Sequence, residues 1–184
     1  MLVLSVFMAS LMSLTWAQTS RWGPCPTPKV QPNFSLEKYL GRWYEIAKLP
    51  TRFARGKCIE ANYSLRRDGT IRVLNKQFYK EKTRSAEGTA VIPDPREPSR
   101  IGVSFSYFTP YSPYLVLSTD YEEVAVVYSC TDVLRIFHIE FAWVLSRARF
   151  LPPETFRYAE ELLLGEGIDL SPMTFTDQTG CKDD

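Results

Sequence analysis

Four cysteines and one histidine are the side chains through which this chain of 184 residues could run nucleophilic, redox or metal chemistry. Their spacing argues against each route. Cys25, Cys58, Cys130 and Cys181 contain no Cys-x-x-Cys pair that would suggest a zinc clamp or a redox couple. A cysteine enzyme needs a free thiolate, whereas an even number of cysteines in a chain bound for an oxidising compartment reads as two disulfides, in any of three pairings. The histidine, His138, has no second His or Cys nearby to complete a metal centre, and no serine stands with a nearby histidine and carboxylate. No catalytic residue, no metal and no cofactor is therefore expected.

The elements that carry these residues begin with a leader. Residues 1 to 17 are uncharged and mostly apolar, and Leu2, Val3, Leu4, Val6, Phe7, Met8, Leu11, Met12 and Leu14 precede Thr15-Trp16-Ala17. This predicts a secretory signal peptide over 1–17, cut after Ala17, since the run is short for a membrane span of about 20 residues. Residues 18–184 are then one domain, secreted and extracellular. All 22 Lys and Arg and all 21 Asp and Glu fall in that part, and the net charge of +1 leaves no basic block for nucleic acid. Asn33-Phe34-Ser35 and Asn62-Tyr63-Ser64 are acceptor sequons, so Asn33 and Asn62 are expected to be glycosylated.

Between Gly41 and Leu145, β-rich runs alternate with turn residues at even intervals, predicting strands over 42 to 50, 58 to 66, 70 to 79, 85 to 92, 100 to 107, 114 to 119, 124 to 130 and 134 to 145. Short links favour antiparallel neighbours. The fold class is all-β, an eight-stranded antiparallel up-and-down barrel. After it the period changes to 3.6: Pro152-Pro153-Glu154 opens a helix whose Phe156, Ala159, Leu162 and Leu163 face the outside of the sheet, and a short last strand follows at about 173 to 176.

Parity along the strands assigns the interior. Ile101, Val103, Phe105 and Tyr107 share one face, as do Phe137, Ile139, Phe141 and Trp143. His138 and Glu140 take the opposite, polar face, which puts His138 at the surface. An outward Asn62 turns Ala61, Tyr63 and Leu65 inward. A barrel of eight strands is wide enough either to fill itself with side chains or to hold one small ligand. Tyrosines inside it favour the ligand, because a buried hydroxyl needs a partner.

Three separated pieces carry a family resemblance: Gly41-x-Trp43 at the first strand, Thr119-Asp120-Tyr121 between the sixth and seventh, and Arg147 after the eighth. In this order they match the signature regions of the lipocalins, and the chain resembles that family from about Gln18 to Cys181. The resemblance implies a cup closed at one end that carries small hydrophobic molecules, such as fatty acids including arachidonate and steroids including progesterone. It also implies the pairs Cys25 with Cys130 and Cys58 with Cys181. Tyr63 and Trp143 match residues of the family's pocket, to which parity adds Phe105, Tyr107, Phe137 and Phe141 as ligand contacts. Asp132 stands where similar members carry an additional unpaired cysteine, so no covalent partner is expected.

In such a barrel Gly41, Trp43, Thr119, Asp120, Tyr121 and Arg147 lie at one end, where Arg147 can cover Trp43 and plug the floor. The other end is the mouth. Phe108, Tyr111 and Tyr114 surround two prolines there and predict an apolar lip that touches membrane surfaces or lipoprotein particles during ligand exchange. A lipocalin-type enzyme with an inward thiolate, and a receptor-directed signalling protein without a transport role, are the alternative functions.

Overall fold

The computed structural model describes residues 19–134 and 136–182. The expected signal peptide lies outside the described residues. The chain runs β1 (Thr19–Trp22), α1 (Leu36–Tyr39), β2 (Gly41–Lys48), β3 (Lys57–Leu65), β4 (Ile71–Tyr79), β5 (Lys82–Val91), β6 (Arg100–Ser104), β7 (Ser112–Thr119), β8 (Val124–Val133), β9 (Phe137–Ser146), α2 (Pro153–Gly165) and β10 (Thr174–Phe175). Strands β2 to β9 each pair antiparallel with the next, and β9 returns to β2, which closes an eight-stranded barrel. Asp68-Gly69 makes the β3–β4 turn, with Gly69 at φ +84°.

Closure is complete only near the floor. Strand β2 pairs with β3 over Gly41 to Tyr44 and leaves the rest of its β3-facing edge free, while on its other edge it pairs with β9 over Tyr44 to Lys48 with a register shift between Glu45 and Ala47. Free strand edges must find partners. There β10 pairs Thr174 with Lys48 and Phe175 with Ala47, while β1 pairs with the part of β9 that precedes its pairing with β2, from Trp22↔Phe137 to Thr19↔Glu140. The disulfides fix both segments: Cys25 joins Cys130, and Cys58 joins Cys181.

Two cores result. One lies inside the floor half, around Trp43, Tyr39, Ile71, Val116, Val127 and Leu145. The other lies outside the sheet, where Ala159 and Leu163 of α2 and Ile168 beyond it cover Leu49, Val126, Tyr128, Ala142 and Val144. Strand β8 is consequently buried on both faces from Val124 to Cys130 and shows no inside-outside alternation of exposure.

The same covering corrects the expectation for His138, which is only 5% exposed. Its face of β9 points outward but lies beneath the N-terminal segment. His138 Nδ1 lies 2.9 Å from the Gly23 carbonyl oxygen. Next to it Glu140 accepts hydrogen bonds from Arg21 Nε at 2.7 Å and from the Tyr128 hydroxyl at 2.8 Å, so the carboxylate is buried with partners, while among the described residues His138 Nε2 is buried without a hydrogen-bond partner. Leu65, expected inside, is exposed at the end of β3.

Candidate ligand-binding site

The site is built upward from its floor. Ser35 caps α1 through its side-chain oxygen, which accepts from the Lys38 N–H, and the helix delivers Tyr39 beneath the barrel. Trp43, fully buried, donates from Nε1 to the Tyr39 carbonyl at 2.8 Å. Arg147 lies over the indole with its guanidinium 3.8 Å from the ring centroid. Nε donates to the Tyr121 carbonyl at 3.0 Å, Nη1 to that of Arg42 at 2.8 Å and Nη2 to that of Lys38 at 2.8 Å.

The neighbouring signature residues hold this plug in place. Gly41 has φ +96°, and a Cβ there would lie 3.3 Å from Arg147 Nη1, so glycine serves both the turn and the close approach. The Asp120 carboxylate accepts the N–H groups of Glu122, Glu123 and Val124, while the Thr119 hydroxyl donates to the Val124 carbonyl and accepts from the Tyr121 N–H. The Tyr121 hydroxyl accepts from the Ser35 N–H at 3.0 Å. All six signature positions thus converge on the closed end.

Above the floor lies a cavity of about 670 Å³, lined by Tyr63, Val73, Tyr114, Phe141, Trp143 and Leu145 and, nearer the opening, by Phe53 and Phe105. That size falls within the range of roughly 300–1,000 Å³ typical of small-molecule sites. Phe141 and Trp143 stack at 5.8 Å and Trp143 and Tyr114 at 6.5 Å, while Phe53 tilts onto Phe141 at 5.8 Å, which makes one continuous aromatic wall. Phe105 closes over Gly88, where a Cβ would come within 2.8 Å of its ring. Lys76 and Arg84 also border the cavity.

Three expected positions are corrected by the backbone. Tyr107 is fully exposed, because β6 ends at Ser104. The Ser104 hydroxyl donates to the Ser106 carbonyl at 2.7 Å and accepts from the Ser106 N–H, and the turn so formed stops the alternation. Tyr114 is no lip residue: β7 starts at Ser112, which sets Tyr114 opposite Ile101 and turns its ring inward. Phe137 is half-buried and does not line the cavity. Phe108 is fully exposed, and Tyr111 is half-exposed against Gly102. Asn33 is exposed and Asn62 half-buried away from the cavity. Phe53 and Tyr39 had no periodic signal, lying in a loop and in a one-turn helix.

The polar groups at the cavity base are phenols. The Tyr114 hydroxyl lies 2.8 Å from that of Tyr39 and 2.7 Å from that of Tyr63. Burial pushes the Tyr63 hydroxyl up to about 12 and those of Tyr39 and Tyr114 well above the ordinary phenol value. Tyr128, on the outer face, is raised by burial and by its bond to Glu140. The unfolded chain releases such protons near pH 10 while the fold retains them. Stability is therefore intact below about pH 10 and falls as the pH rises toward 12, by about 1.4 kcal/mol per pH unit for each such phenol. Phenolate absorbance is expected to show these four of the 10 tyrosines silent until the protein unfolds. Reversible titration of all of them near pH 10 in the folded protein would contradict the burial.

The match to known proteins covers the same ground. A family model, the lipocalin-like domain, matches residues 34–178. Apolipoprotein D of Oryctolagus cuniculus is 46% identical over 184 residues, covering 100% of this chain and 97% of the relative. Temperature-induced lipocalin-1 of Arabidopsis thaliana is 34% identical over 158 residues, 82% of this chain and 83% of the relative. Among solved structures, insecticyanin from the tobacco hornworm Manduca sexta superposes with a TM-score of 0.77 at 27% identity, covering 89% of this chain and 90% of that one. Lobster apocrustacyanin A1, at 21% identity and a TM-score of 0.74 over 88% and 92% of the chains, shares the fold.

All four cysteines are consumed in disulfides, which leaves no thiol for nucleophilic chemistry. The apolar cavity and the likeness to apolipoprotein D and to a lipocalin are those of a carrier of small hydrophobic molecules. The matched residues begin just before the helix that plugs the floor and end just beyond the strand that seals the seam, so the likeness spans the whole site, and the chain belongs to the lipocalin family.

Proposed function

We propose that this protein is secreted and carries lipids of the size of fatty acids and steroids, such as arachidonate and progesterone, in the barrel cavity. The observation that carries this reading is the stacked aromatic wall above a sealed floor. Two disulfides in so short a chain suit the oxidising environment outside the cell. Binding is driven by desolvation: about 300 Å² of ligand surface at roughly 25 cal/mol per Å² is worth some 7 kcal/mol before the costs of association. Titration of tryptophan fluorescence with arachidonate and with progesterone tests the assignment. Saturable binding at micromolar or lower concentration of at least one is expected, and no response to either would sink it.

Exchange takes place at the mouth, where Tyr107 and Phe108 stand fully exposed on a loop without charged residues. The β2–β3 connection carries Arg52 and Arg55, and the β4–β5 hairpin carries Lys80, Glu81 and, at the start of β5, Lys82 and Arg84. Apolar tips beside cations suit a lipid surface with anionic headgroups. Co-flotation with phosphatidylcholine vesicles containing phosphatidylserine is expected to fall severalfold in a Tyr107→Ser, Phe108→Ser variant. Unchanged flotation would remove the lip from the account.

A further inference from the structure

The three phenols at the cavity base contain three O–H hydrogens but make only two hydroxyl-to-hydroxyl contacts, both at Tyr114. Each contact uses one hydrogen, so one O–H is uncommitted in every arrangement. If the spare hydrogen belonged to Tyr39, it would be buried without an acceptor, because that residue is 1% exposed and Tyr114 is its hydroxyl's only hydrogen-bond partner among the described residues. The two arrangements that avoid this cost place the spare hydrogen on Tyr63 or on Tyr114. Both residues line the cavity.

We propose that this tyrosine chain is a donor site for a carbonyl oxygen at the buried end of the ligand, selecting a ketone or ester and excluding a carboxylate from that end. The proposal rests on the carrier reading above and assigns the polar half of its specificity. Exclusion follows from the surroundings. The raised phenols stay neutral donors at physiological pH. Arg147, the cation of the floor, lies against Trp43 with its Nε, Nη1 and Nη2 given to backbone carbonyls. A carboxylate placed beside the phenols would be desolvated without a counter-charge. A fatty acid therefore enters tail first and leaves its head near Lys76 and Arg84, which border the cavity.

The test is a Tyr63→Phe, Tyr114→Phe variant, which removes the two cavity hydroxyls and keeps both rings. Affinities are measured by displacement of a fluorescent probe for progesterone, for pregnane, which has the same ring skeleton and no oxygen, and for arachidonate. Progesterone is expected to weaken about fivefold to tenfold, the equivalent of one hydrogen bond, with pregnane and arachidonate within about twofold of the wild type. The infrared carbonyl stretch of bound progesterone is expected at lower wavenumber in the wild type than in the variant. Retained pregnane and arachidonate binding shows that the variant is folded. Equal weakening of all three ligands, or unchanged progesterone affinity with an unchanged carbonyl stretch, would overturn the donor site. If neither progesterone nor pregnane binds the wild type while arachidonate does, the donor site falls and the carrier reading stands. Failure of all three would overturn both.

Discussion

Trp43→Ala is expected to destabilise the protein by about 3–5 kcal/mol while leaving ligand affinity within about twofold in the fraction that folds. The indole is fully buried, so truncation opens a cavity in the floor core. The variant also loses the hydrogen bond to the Tyr39 carbonyl and the cation-π contact with Arg147, itself worth about 0.5–2 kcal/mol. Arg147→Ala should follow in direction, since it strips hydrogen bonds from the carbonyls of Lys38, Arg42 and Tyr121. Urea unfolding midpoints measure the first effect and ligand titration the second. An unchanged midpoint combined with collapsed affinity would mean that Trp43 belongs to the ligand site and not to the floor.

Trp143→Ala is expected to show the reverse split, with lipid binding weakened tenfold or more and the barrel intact. Trp143 stands in the cavity wall between Phe141 and Tyr114 and is partly exposed to the cavity, so its removal deletes ligand contact more than core packing. A ligand that loses one face of an aromatic slot loses both contact and shape fit. Displacement titration with arachidonate and progesterone provides the measurement. Unchanged dissociation constants for both would exclude Trp143 as part of the wall. The two tryptophans are a matched pair, one acting on stability and the other on binding.

The eight strands, the external helix and the sealing strand were legible because period-2 alternation broken by Asp-Gly and proline turns leaves little else for the chain to form. Trp143 and Ile101 followed from the same parity. Parity failed where a side chain intervened: at Tyr107, a serine hydroxyl two residues after Gly102 turned the backbone out of the ladder. Tyr114 was misplaced because Ser112-Pro113 reads as a loop, yet the proline occupies an edge of the ladder opposite Gly102, where its missing N–H is tolerated. His138 was misread for a different reason. What covers it is a four-residue strand, Thr19–Trp22, too short to announce itself by pattern and distant by more than 100 residues in sequence. The phenol chain was equally hidden, since it joins Tyr39, Tyr63 and Tyr114 across three elements that only the closed barrel brings together.

Mass spectrometry of the protein recovered from the medium of cells that express it, first under native and then under denaturing conditions, tests the central claim most directly. The account predicts a chain beginning at Gln18 that carries one small hydrophobic molecule, released by organic solvent and largely absent from the Trp143→Ala variant. A protein that emerges empty and takes up neither arachidonate nor progesterone when they are supplied would contradict it.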